Sequence, residues 1–154
     1  MAHWIKTSGG GVVVEDRRKS RGMVALVVDD DRPIRALITA SLRRKQIRVE
    51  DSADGAEAIA LLGHNDYQAL VLDLMMPRVS GWDVIEWLGE HPERKPQTVI
   101  VVTAADQTVI SELNPEVVNA VIFKPFDVID LATYVRSCLS HGLPVDRRKR
   151  RVVQ

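Results

Sequence analysis

A single cysteine, Cys138, stands in 154 residues, so an intramolecular disulfide is excluded and the chain fits a reducing compartment. Its place in an apolar helical pattern marks a core thiol rather than a reactive one. No apolar run approaches the ~18 residues needed to cross a bilayer, and the N-terminus lacks the continuous apolar stretch of a signal peptide. A cytoplasmic protein with no membrane segment is the expectation. The four histidines, His3, His64, His91 and His141, show no ligand spacing, which leaves them surface or capping roles. Internal repeats are missing, as is any low-complexity tract outside the two ends.

Net charge is also lacking, because 21 basic and 21 acidic residues cancel. The cancellation conceals a pattern. Residues 1–22 hold five basic and two acidic side chains and residues 142–154 hold five basic and one acidic, which leaves 11 basic against 18 acidic in residues 23–141. An acidic body argues against nucleic acid as a partner of the folded part, and basic ends of this kind are ordinarily solvated. The length of 154 residues, with 45% hydrophobic and 27% charged, describes one globular domain. The division expected is a flexible N-terminal extension over 1–22, a domain over 23–141 and a basic tail over 142–154.

What is present in the body is an alternation of strand and helix signals. Met23–Val28, Gln46–Asp51, Gln68–Leu72, Thr98–Val102 and Val117–Phe123 read as strands, all but the second dominated by apolar and β-branched residues. Between and after them, helices are expected from Pro33 through Leu42, from Asp54 to Gly63, from Trp82 to Glu90, over a short Gln107–Leu113 and over Asp127–Ser140. Ile34, Leu37, Ile38 and Leu42 give the first helix its apolar face, and Asp54 with Glu57 resembles a capping box for the second. Asn114-Pro115 stops the fourth helix early. Five strands alternating with five helices imply a doubly wound parallel α/β sheet with right-handed crossovers.

Four of the apolar runs end in polar residues: Asp29-Asp30, Asp73, Thr103 and Lys124. Ligands of such sheets bind outside the carboxyl ends of the strands, so one site is the economical reading. Three carboxylates there repel one another unless a cation offsets them, and a hard divalent ion, magnesium or manganese, takes oxygen ligands. Lys124 supplies a fixed charge and Thr103 a hydroxyl donor, enough to hold phosphoryl oxygens while the Asp73 carboxylate acts as nucleophile.

In these residues the chain resembles the receiver domain of bacterial response regulators of two-component signalling, over about Met23 to His141. The resemblance implies a flavodoxin-like five-stranded sheet of order 2-1-3-4-5 and a phosphoacceptor rather than an enzyme in the ordinary sense. Thirteen residues after His141 are too few for an output domain, so the expectation is a stand-alone receiver or one cut from a longer protein. It makes Asp73 the phosphorylated aspartate, Thr103 the switch hydroxyl and Lys124 the phosphoryl-binding lysine, with a cis bond between Lys124 and Pro125. The metal ligands implied are Asp30 directly, Asp29 largely through water, Asp73 and the Met75 backbone carbonyl. Asp31 remains as a helix cap. The implied partners are a histidine kinase or histidine phosphotransfer protein, and a downstream protein on the surface of the fourth helix, fifth strand and fifth helix. A monomer or a weak phosphorylation-dependent dimer goes with them.

The chain also departs from that pattern. Val121 stands where the family usually has a Tyr or Phe that changes rotamer with the threonine, although Phe123 lies on the same strand face one step nearer the site. Met75 and Ala105, two residues past Asp73 and Thr103, have no polar side chain to orient an attacking water. Two other readings stay open: a receiver-like interaction module that works without phosphorylation, and a haloacid-dehalogenase-type phosphohydrolase with Asp29 as nucleophile and Asp31 as acid/base. Against the latter, Pro33 stands where that signature has Thr or Val, and no acidic pair follows a strand after Lys124.

Overall fold

Apolar runs too short for helices and rich in valine form the centre of the molecule. The structure is a computed structural model that describes residues 3–6, 12–15, 22–141 and 151–153, with side chains described over 22–141 except at residue 110. Elements in chain order are β1 (His3–Lys6), β2 (Val12–Glu15), β3 (Val24–Val28), α1 (Arg32–Arg44), β4 (Arg48–Ser52), α2 (Gly55–His64), β5 (Ala69–Asp73) and α3 (Gly81–Glu90). They continue with β6 (Thr98–Thr103), β7 (Ala120–Phe123), α4 (Val128–His141) and β8 (Arg151–Val153).

The main sheet is parallel throughout, in the order β4-β3-β5-β6-β7-β8. Its first five members are the expected five strands in the expected order. Register places Val28 beside Leu72, Asp73 beside Val102 and Thr103 beside Phe123, so the carboxyl ends of β3, β5, β6 and β7 form one rim. Both faces are covered. On one, α2 and α3 bury Ala58, Leu62, Val84, Ile85 and Leu88 against Leu70, Leu72 and Val101; on the other, α1 and α4 bury Ile38, Leu42, Leu131 and Val135 against Val27, Val71 and Ile100. Cys138 is buried in α4, as the helical pattern implies, and burial pushes its thiol pKa up.

Helix ends follow local chemistry. Asp31 caps α1 by accepting from the Ile34 N–H, with Pro33 in the first turn. Asp54 caps α2 by accepting from the Glu57 N–H at 2.8 Å, but the box expected there is only half formed, because the Glu57 carboxylate turns to the Ser52 hydroxyl instead. The complete box belongs to Ser80 and Asp83 at the start of α3. His64 and His91 bond the carbonyls of Ala60 and Trp87 at the ends of α2 and α3.

Four further differences from expectation stand out. The body holds four α-helices among the described residues, not five: Gln107–Glu112 is a 3-10 segment. Asp106 pins its start through the Thr108 and Val109 N–H groups, and Asn114 folds its end by accepting from the Val117 and Val118 N–H groups, which leaves no room for an α-helical turn ladder. Leu37 is 56% exposed, because the buried stripe of α1 centres on Ile38, Thr39 and Leu42 and Leu37 lies at its edge. β1 and β2 pair antiparallel in a stretch with no lasting strand period, the valines of β2 supplying strand propensity. β8 adds a sixth parallel strand next to β7. The rest of the flexible extension expected over 1–22 and of the solvated tail expected over 142–154 lies outside the described residues.

Candidate functional site

At the rim, Asp29, Asp30 and Asp73 bring one carboxylate oxygen each to within 4.8 Å of one another. Asp29 and Asp73 are buried, Thr103 is fully buried, and Asp30 is exposed. Lys124 Nζ donates to Asp29 Oδ2 at 3.1 Å and to Asp73 Oδ2 at 3.4 Å, so one ammonium is shared between two of the three carboxylates. The Lys124–Pro125 bond is cis, as the resemblance implies. Three further oxygens have local partners: Asp29 Oδ1 accepts from the Asp31 N–H, Asp73 Oδ1 from the Met75 N–H and Thr103 Oγ1 from the Ala105 N–H.

The electrostatics leave room for a cation. Three carboxylates against one ammonium carry excess negative charge, all the donors are hard oxygens, and one side of the cluster faces solvent through Asp30, which is the donor set a divalent ion of the magnesium type takes. Burial raises the Asp73 carboxyl above its ordinary 3.8; the Met75 N–H opposes the rise, the Asp29 charge adds to it and Lys124 opposes it. Burial pulls the Lys124 ammonium down, but the hydrogen bond and charge of Asp29, then those of Asp73, outweigh it and leave the group raised.

A pH dependence follows from Asp73. With its folded pKa above the unfolded one, the metal-free native state retains a proton that the unfolded chain has lost, so stability falls as pH rises from 3.8 through the folded pKa. Asp73→Asn is therefore expected to raise the metal-free unfolding midpoint at neutral pH. The gain should vanish well below pH 3.8, and parallel pH profiles of the two proteins would contradict it.

Two glycines fix the loop after Asp73, and neither is visible from motif spacing as part of a site. A Cβ on Gly81 would stand 2.2 Å from the Asp73 carbonyl oxygen and 2.6 Å from Leu74 Cα. One on Gly55 would stand 2.5 Å from the Val79 carbonyl oxygen. The Gly81 N–H also bonds the Leu74 carbonyl at 3.1 Å. Residues 74–80 are thus held between the first residues of α2 and α3. Of the other positions singled out, Met75 is 60% exposed, Ala105 is half-buried, Val121 is fully buried, and Phe123 is half-buried against the same apolar cluster as Val121.

Comparison with known proteins agrees with this geometry. Residues 25–136 match the family described as the response regulator receiver domain. The response regulator MprA of Mycobacterium sp. (strain KMS) is 35% identical over 122 residues, which cover 77% of this chain and 51% of that protein. The chain therefore spans about half the length of the curated relatives it matches. Among solved structures, the receiver domain of the Francisella response regulator 1452 superposes with a TM-score of 0.69 at 28% identity, covering 76% of this chain and 96% of that one. The receiver domain from Bermanella marisrubri gives 0.66 at 30% identity, covering 74% and 95%. With a parallel sheet in this order and an acidic rim at its carboxyl end, the chain belongs to the response regulator receiver domain family.

Proposed function

We propose that Asp73 accepts a phosphoryl group from the phosphohistidine of a histidine kinase or a histidine phosphotransfer protein. The observation that carries this is Lys124 bridging Asp29 and Asp73 beside a third carboxylate, Asp30, on one rim. In the transfer the P–N bond to the imidazole breaks and a P–O bond to the Asp73 carboxylate forms. Lys124 stands on the Oδ2 side of Asp73, where its ammonium takes a phosphoryl oxygen, and the Thr103 hydroxyl donates to another. Asp29, Asp30, Asp73 and the Met75 carbonyl are the groups that would hold magnesium or manganese, and such an ion supplies charge neutralisation at the phosphoryl oxygens. Incubation with acetyl phosphate and magnesium is expected to give one acyl phosphate, at Asp73, readable by mass after proteolysis.

Output follows from the switch residues. A Thr103 hydroxyl drawn toward the phosphoryl group changes the packing at the end of β6, and with Val121 at the usual aromatic position the half-buried Phe123 is the aromatic placed to respond. The surface of Gln107–Glu112, β7 and α4 then engages a protein partner, with the chain a monomer or a weak phosphorylation-dependent dimer in the cytoplasm. No described helix is long and apolar enough to cross a membrane.

Met75 and Ala105 give the site no side chain to orient water, so the adduct should be lost slowly. The phosphoryl lifetime of the purified protein with magnesium is expected to run to many minutes and to shorten on Met75→Asn. A lifetime of seconds in the unaltered protein would contradict this.

A further inference from the structure

The three-residue turn Asp29-Asp30-Asp31 carries two of the carboxylates of the rim, yet its own support lies off the rim. The Asp29 N–H bonds the Ser52 carbonyl at 3.2 Å, and the Asp31 N–H closes on Asp29 Oδ1 at 2.9 Å. Among the described residues, no hydrogen bond fixes the Asp30 carboxylate itself. What the fold fixes is the backbone from which it projects, through the peptide that joins it to Asp29. One side chain grips that peptide: Arg35 Nη1 donates to the Asp29 carbonyl at 2.7 Å.

Arg35 is itself anchored on the neighbouring strand. Its Nε bonds Asp51 Oδ2 at 2.7 Å, the arginine being 15% exposed and the aspartate 44%. Asp51 precedes Ser52 in β4 and pairs in register with Val27, two residues before Asp29. The planar guanidinium thus ties the peptide between the two acidic residues to the edge strand through two donors in fixed relation. A flexible lysine offers a point charge with no such fork.

We infer that Arg35 is a positioning residue for the cation site, setting the Asp29–Asp30 peptide so that Asp30 points to the ion, with Asp51 as its anchor. It touches neither ion nor phosphoryl group. Partners of this outer kind typically carry about tenfold to a hundredfold in metal affinity. Because Asp51 neutralises it, Arg35 does not compete with the ion as a free positive charge.

The test is a magnesium titration followed by tryptophan emission, with Trp82 half-buried next to Gly81, in the unaltered chain and in Arg35→Ala, Arg35→Lys and Asp51→Asn. Unfolding midpoints with and without magnesium are recorded for each. Arg35→Ala and Arg35→Lys should both weaken magnesium by about tenfold, and Asp51→Asn by a few-fold. Should Arg35→Ala fail to fold, Asp51→Asn, altered on a largely solvated carboxylate, decides alone. A lower metal-free midpoint with unchanged magnesium affinity, or full rescue by lysine, overturns the inference. It rests on the divalent-ion reading of the rim: an unaltered chain that does not bind magnesium ends that reading, whereas equal affinity across the four proteins ends this inference only.

Discussion

Asp73→Asn is expected to reduce phosphoryl incorporation by more than about a hundredfold while leaving the fold intact. The amide matches the carboxylate in size, so the Met75 N–H keeps an oxygen acceptor and the packing around a nearly buried side chain is unchanged. What disappears is the proposed nucleophile. The companion variant Asp29→Asn should retain incorporation at a reduced rate, because Lys124 then loses its nearer partner and the cation a charge. The phosphohydrolase reading demands the reverse order of effects, with Asp29 indispensable and Asp31 free to move a proton. Asp31 is not free, since its side chain accepts the Ile34 N–H as the cap of α1. Incorporation that survives Asp73→Asn and vanishes with Asp29→Asn would move the nucleophile to Asp29.

The second large effect comes from a residue with no chemistry. Gly81→Ala places a methyl 2.2 Å from the Asp73 carbonyl oxygen and 2.6 Å from Leu74 Cα, both backbone atoms that cannot rotate away. Either α3 or the loop after Asp73 must shift. Overpacking of this sort costs about 3 kcal/mol, which for a domain of this size lowers the unfolding midpoint by roughly 10 °C. The same shift displaces Met75, whose N–H orients Asp73, so magnesium affinity should fall alongside stability. A thermal melt and a magnesium titration on one preparation check both; a variant that melts within about 2 °C of the unaltered chain would show that the loop absorbs the methyl freely.

Why some of this is legible in the residue order and some is not comes down to range. Val27-Val28-Asp29 and Val71-Leu72-Asp73 announce themselves because a buried strand must be apolar until it emerges, so the first polar residue marks both the rim and the group delivered there. The sheet order came with the family resemblance, and the Asp31 cap needs only three residues of context. Arg35 and Asp51 lie 16 residues apart and meet through strand pairing, which no local period encodes. The close approaches at Gly55 and Gly81 are likewise tertiary: a glycine at a helix start looks ordinary until another backbone is found against it. Gln107–Leu113 carries a helical spacing too short to prevail over the Asp106 and Asn114 turns at its ends, and Leu37 fits the apolar stripe by number but falls at its margin by angle.

The sheet's two borders bear on how copies of the molecule behave when crowded. An open parallel sheet has two flanks of unpaired amides that invite another chain to add on. Here one flank is β4, where Arg48, Glu50 and Asp51 are exposed, and the other is β8, a three-residue strand opening with Arg151 that lies beside β7. Charge at one border and a short added strand at the other discourage end-to-end growth. Concentrated solutions should accordingly resist the strand-by-strand accretion that leads to fibres.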